Sequence, residues 1–259
     1  MMSLHNAPAV VTGAGRGIGR TIAIELAKAG HPVALQSRTV EQLNETKALI
    51  EAKGGQAICV PGDVTEAQAA ESLIEKCTES FGVPKIAVAG AGQAISAPLK
   101  RTSVEQLRQL FEVNTVSAFH LIKSASDRMI KLGEGGRIVI VASTAATRGM
   151  SYTAAYSASK HAVLGLVRSA AHELASKKIT VNALCPGWVD TPMFDYTLKN
   201  ISEKTGCSLE EARAKIETNI PLGRVLETEE VAATLMYLVS EAAGKMTGQA
   251  VVIDGGESL

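Results

Sequence analysis

Short apolar, β-branched runs alternate with longer mixed stretches almost from one end of the chain to the other. Pro8–Thr12, Pro32–Ser37, Gln56–Val60, Lys85–Ala89, Arg137–Ala142, Thr180–Cys185 and Ala250–Asp254 predict strands. Between them, Gly17–Ala29, Val40–Lys53, Glu66–Ser80, Thr153–Ala175 and a segment near Glu229–Ser240 carry helical spacing. Gly30 and Gly54-Gly55 stop the first two helices. Thr102-x-x-Glu105 has the form of a capping box and predicts the start of a long helix. Alternation at this spacing requires right-handed crossovers. It therefore predicts an α/β fold, a doubly wound parallel sheet with helices on both faces. No repeat, low-complexity tract or linker interrupts it, so residues 1–259 read as one domain.

The irregular stretch is about 190–225. A second capping box, Ser208-x-x-Glu211, opens a short helix there, among Met193, Phe194, Tyr196, Leu198, Ile201 and Leu209. An insertion of this size after a strand lies where open parallel sheets bind ligands. It predicts a flexible, apolar lid.

Composition narrows the choice of partner. The 26 Lys+Arg balance the 26 Asp+Glu, which argues against nucleic acid or an anionic membrane, since both select a basic surface. No apolar run approaches the ~18 residues of a spanning helix. Met1–Pro8 is too short and polar for a signal peptide. Cys59, Cys77, Cys185 and Cys207 lack CxxC spacing, so neither a disulfide framework nor a metal site is expected, and a reducing cytoplasm is the default. His120, His161 and His172 fall on separate helical segments without ligand spacing.

Candidate chemistry begins at the end of the first strand, with Thr12-Gly13-Ala14-Gly15-Arg16-Gly17-Ile18-Gly19. Gly13 permits a sharp turn, Gly17 lets backbone amides approach a pyrophosphate, and Gly19 lets the helix pack on the sheet. The following helix would then present its positive end to the anion. The second strand ends in Gln36-Ser37-Arg38, with no carboxylate to bond ribose hydroxyls. Arg38, with Arg16 from the loop, offers donors to a 2′-phosphate. NADP(H) is therefore favoured, with NAD(H) as the other choice.

Tyr156 and Lys160 lie one helical turn apart and share a face. A nearby cation is expected to bring the phenol's pKa down toward the working range. Ser143, thirteen residues before Tyr156, ends the fifth strand at the same sheet edge and could hold a carbonyl oxygen.

The glycine loop, Ser143, Tyr156-x-x-x-Lys160 and Pro186-Gly187, in this order and spacing, resemble the short-chain dehydrogenase/reductases over essentially the whole length. The look is nearest to bacterial 3-oxoacyl-thioester and polyketide-type ketoreductases. The resemblance implies a seven-stranded Rossmann-like sheet and a homotetramer. It makes Tyr156 the general acid in reduction, Lys160 the ribose ligand that tunes it, and Ser143 the group orienting the carbonyl. Asn114 would support a water leading to Lys160, Asp63-Val64 would contact adenine, and Val189 and Thr191 would fix the carboxamide. Where the family has Asn-Asn-Ala-Gly, this chain has Ala89-Gly90-Ala91-Gly92, small enough for close approach of the ribose. Met150, Tyr152, Trp188, Met193 and Phe194 are the candidate pocket wall, suited to a medium-sized apolar ketone or a CoA or carrier-protein thioester. Arg148 and Lys199 could meet a carrier's phosphate or be solvated. An oxidising alcohol, sugar or steroid dehydrogenase, and a non-catalytic NADP(H)-binding protein, are the other readings.

Overall fold

The computed structural model describes residues 4–259. Seven strands, β1 (Ala9–Thr12), β2 (Val33–Gln36), β3 (Ala57–Cys59), β4 (Ile86–Ala89), β5 (Gly136–Val141), β6 (Ile179–Pro186) and β7 (Ala250–Ile253), form one parallel sheet. Its order is β3-β2-β1-β4-β5-β6-β7. The chain runs outward from β1 to β3, then returns to lay β4 beside β1. That reversal opens a crevice at the carboxyl ends of β1 and β4. Register brings Thr12 level with Gln36 and Ala89, so the loops that follow these strands emerge at one edge.

The nine helices of the described residues are α1 (Gly17–Lys28), α2 (Val40–Glu51), α3 (Ala67–Phe81), α4 (Val104–Phe111), α5 (Ser117–Leu132), α6 (Ala154–Leu174), α7 (Pro192–Thr205), α8 (Leu209–Glu217) and α9 (Thr228–Val239). Successive strand residues point to opposite faces, and both faces are apolar. Val11, Leu35 and Val88 pack with Ile22 and Leu26 of α1, Leu43 of α2 and Leu235 of α9. Val10, Ala34 and Ala87 pack with Leu73 of α3, Leu121 of α5 and Val167 of α6. This two-sided burial explains why the strands read as continuous apolar runs.

Three expectations change. The capping box of α4 is Ser103 with Gln106, not Thr102 with Glu105. The Thr102 hydroxyl turns back to the Pro98 carbonyl at 3.2 Å, leaving Ser103 to receive the Gln106 N–H. The long helix is also broken by a π-helical segment, Glu112–Val116, which centres on Asn114. Finally, 190–225 holds two helices, α7 and α8, rather than one short one. Phe194, Leu198, Ala212, Ile216, Ile220 and Val225 form their own apolar cluster, with Trp188 against it. The segment is thus a helical pair packed around a core of its own.

That core is testable. Phe194→Ala should cost about 3 kcal/mol of local stability, read as faster proteolytic cleavage between residues 192 and 217. Unchanged cleavage would show that the pair does not depend on this ring.

Candidate active site

The glycine loop is shaped by contact with its neighbours. Gly13 adopts φ +68°, and a Cβ there would stand 2.6 Å from the Ala91 nitrogen. A Cβ on Gly19 would collide with the Gly13 carbonyl oxygen, so the first turn of α1 lies directly on the loop. Thr12 Oγ1 accepts the Gly90 N–H at 3.2 Å and the Ala91 N–H at 3.4 Å, fastening β1's end to the segment after β4. Small residues at 89–91 thus carry a backbone contact made by Thr12.

Two residues missed in the sequence brace the same loop. Arg20 Nε donates to the Gly15 carbonyl at 2.9 Å, and Thr46 Oγ1 donates to the Ala14 carbonyl at 2.9 Å. Thr46 carried a signal: it stands at helical spacing between Leu43 and Ile50, which puts it on the inward face of α2, where it is fully buried. Buried hydroxyls need partners.

The loop fits a dinucleotide. Arg16, the N-cap of α1, makes no side-chain capping bond, so the first amides are left for an anion, with Ile18 in that first turn. Across the crevice Thr191 stands 3.5 Å from where a Gly17 Cβ would be. Thr191 caps α7 by accepting the Phe194 N–H, and Val189 is buried beneath it. Pro186 ends β6, and Gly187 donates its N–H to the Ile253 carbonyl. At the other end, Asp63 is fixed in a turn by the Thr65 N–H and hydroxyl, which hold its carboxyl below the usual range; Val64 is half-buried beside it. Arg16 is exposed, and Arg38 is 79% exposed with its guanidinium 4.0 Å from Asp63. Ser37 is half-buried and Gln36 turns away, donating to the Ala69 carbonyl.

Ser143, Tyr156, Lys160 and Asn114 come together at the same edge. The Ser143 hydroxyl accepts the Ala145 N–H at 3.1 Å and faces the Tyr156 phenol. Lys160 is 4% exposed; its Nζ donates to the Val141 carbonyl at 3.1 Å and lies 5.9 Å from the Tyr156 ring centroid. Burial lowers the Lys160 pKa to about 8. Burial also raises the Tyr156 pKa, with Ser143 opposing it. The phenol therefore moves up, not down as the Tyr–Lys spacing suggests, because its loss of water outweighs the opposing effect of Ser143.

Asn114 is buried in the π-helical segment, where the extra residue per turn pushes it inward. It accepts the Gln93 N–H at 2.9 Å and donates to the Gln93 carbonyl and to Ser159 Oγ, both at 3.0 Å. Ser159 in turn donates to the Tyr156 carbonyl at 2.8 Å. Ser159 and Gln93 were not singled out from the sequence, and neither was Cys185. That buried thiol faces Ser143, Tyr156 and Lys160, and burial raises its pKa.

The expected pocket wall divides. Met150 and Trp188 are half-buried; Tyr152 and Met193 are exposed. Phe194 is 2% exposed, stacked obliquely on Trp188 at 5.8 Å between ring centroids, so it fills the helical pair and does not face a substrate. Arg148 is not available to a carrier's phosphate, because Glu257 holds it through a 2.8 Å ion pair.

A family model described as enoyl-(acyl carrier protein) reductase matches residues 13–258. L-2,3-butanediol dehydrogenase of Corynebacterium glutamicum is 39% identical over 96% of this chain and 97% of its own. A diacetyl reductase [(S)-acetoin forming] of Staphylococcus epidermidis is 34% identical over 96% and 97%. A crystal structure of a variant actinorhodin polyketide ketoreductase with NADPH superposes with TM-score 0.94 and 35% identity, covering 99% of both chains. The chain belongs to the short-chain dehydrogenase/reductase family, and is an oxidoreductase acting on alcohol and carbonyl groups.

Proposed function

We propose that the protein is an NADP(H)-dependent ketone reductase, with Tyr156 as general acid, Ser143 as second donor to the carbonyl oxygen, and Lys160 as the cation behind them. The observation that carries the assignment is the convergence of Ser143, Tyr156 and Lys160 at one sheet edge; support for the reductive direction comes from the diacetyl reductase and polyketide ketoreductase relatives. At neutral pH a phenol whose pKa is raised has a proton to give.

Bound NADPH would supply the hydride. Ser143 and Tyr156 donate to the carbonyl oxygen as its negative charge grows, and the Tyr156 proton completes the alcohol. The Lys160 ammonium then faces the charge left on the phenol. Asn114 holds the wall beside Lys160 and supports the water that returns the proton. Thr12, Gly13, Gly15, Gly17, Ile18 and Gly19 hold the pyrophosphate, Asp63 and Val64 the adenine, and Ala89, Gly90, Ala91 and Lys160 the ribose side. Pro186, Gly187, Val189 and Thr191 hold the carboxamide. Arg38 and Arg16 select the 2′-phosphate, which the missing carboxylate at the end of β2 leaves unopposed.

For the substrate, we favour a medium-sized apolar ketone, with a 3-oxoacyl thioester of CoA or a carrier protein as the leading class. Support comes from the apolar side chains at the cleft, Met150, Tyr152, Trp188 and Met193, and from likeness to a polyketide ketoreductase. The second reading is a small vicinal diketone or its acyloin, favoured by the names of the butanediol and diacetyl relatives. The segment 190–225 acts as the lid of this one-domain unit. Exposed Phe119 on α5 and Val252 on edge strand β7 suit a homotetramer, and four free thiols suit a reducing cytoplasm.

Following nicotinamide absorbance against a panel of ketones, diketones and alcohols tests the assignment. Acetoacetyl-thioester reduction supports the leading class, diacetyl reduction the second, and turnover of alcohols alone would overturn the reductive reading. Tyr156→Phe should lower kcat by at least about 10²-fold and leave NADPH affinity intact; near-normal turnover would remove Tyr156 as the acid. Arg38→Ala should weaken NADPH binding about tenfold without weakening NADH. Tighter NADH than NADPH binding by the unaltered protein would refute the cofactor choice.

A further inference from the structure

The segment after β7 carries a cluster that the reaction above does not use. Glu257, its side chain 11% exposed, faces groups from two distant parts of the chain. Arg148 Nη2 meets Glu257 Oε1 at 2.8 Å, and Arg148 Nη1 donates to the Glu257 backbone carbonyl at 2.9 Å. The Trp188 indole faces the same carboxylate; a Cβ on the preceding Gly187 would stand 3.1 Å from Glu257 Oε2, which has no hydrogen-bond partner of its own among the described residues. Asp254 is the like charge facing it; its own oxygens accept the Gly256 and Ser258 N–H groups at 2.9 Å each, which fixes the turn. The segment is also fastened to the chain beyond α8, where Leu222 donates its N–H to the Gly255 carbonyl at 3.1 Å.

The placement of the two partners gives this cluster its meaning. Arg148 lies five residues beyond Ser143, on the loop that leads to Tyr156. Trp188 stands at the root of the helical pair, against Phe194. Glu257 therefore bridges the two sides of the cleft. Removing either partner of an ion pair largely shut from water strands the other charge, so the two side chains hold one another in place.

We propose that Glu257 is a positioning residue for the ketone: it fixes Arg148 and Trp188 as one wall of the substrate cleft, touching neither the reacting atoms nor the dinucleotide. The kinetic consequence rests on the reductase reading; the structural one does not. Without the clamp, the lid's root and the Ser143 loop separate, and ketone binding weakens while the chemical step keeps its donors.

Trp188 is the sole tryptophan of the sequence, so its emission reads the clamp without any turnover. Burial raises the Glu257 carboxyl above its ordinary value of 4.5, with Arg148 opposing and Asp254 reinforcing the shift. As pH falls, this carboxylate is neutralised before ordinary glutamates. Tryptophan emission of the full chain should show a transition centred above 4.5 that Glu257→Gln abolishes. Glu257→Gln and Arg148→Met should each raise the ketone KM about five- to tenfold, keep kcat within about twofold and leave NADPH affinity unchanged, and the double variant should be no worse than either single one. Emission that titrates identically in Glu257→Gln overturns the clamp. Parallel losses of kcat and NADPH affinity in both single variants would also overturn it, by revealing a general structural role. If no ketone is turned over, the reductase reading fails on its own, and the emission comparison still decides the clamp.

Discussion

The structure turns on an ammonium taken out of water. Lys160 is buried at the carboxyl edge of the sheet, with its Nζ bonded to the Val141 carbonyl. A buried amine costs several kcal/mol unless something offsets its charge. A molecule pays that where the charge has work to do, and here it lies behind a phenol that faces a serine hydroxyl. Burial moves the two groups in opposite senses, amine down and phenol up. Pairs of titratable groups driven apart by their surroundings are the usual signature of divided acid and base roles.

Everything around that amine serves to hold it. The parallel sheet brings the ends of β1, β4, β5 and β6 to one edge, so that loops from distant parts of the chain converge. The π-helical segment turns Asn114 inward, where it meets Ser159, and Ser159 bonds the Tyr156 carbonyl one turn before Lys160. Gly92 carries no side chain where a Cβ would press within 3.5 Å of Lys160 Nζ and 3.3 Å of Asn114 Oδ1. On the other side, Thr12, Arg20 and Thr46 fix the glycine loop through its carbonyls and its neighbour's amides.

The sheet, the glycine loop and the serine–tyrosine–lysine set were legible because each has a local cause. Strands buried on both faces read as unbroken apolar runs, and a tyrosine and a lysine four apart on a helix must share a face. What could not be read depends on partners distant in sequence or on backbone detail. Thr102 and Ser103 both begin acceptable capping boxes, and the Pro98 carbonyl decides between them. The π turn at Asn114 has no residue pattern of its own. Phe194 looked like a pocket residue until α8 supplied a core for it to fill. Arg148 looked solvated or phosphate-binding because Glu257, its partner, lies 109 residues away. The phenol's shift went the other way because spacing reveals the cation but not the loss of water around both groups.

The most direct test of the central claim is a site-resolved NMR titration of the Lys160 amine in the cofactor-free protein. A midpoint near 8 is predicted from its burial. A midpoint at the ordinary lysine value of about 10.4 would mean that water reaches the amine, and the account of a desolvated acid–base pair would fall.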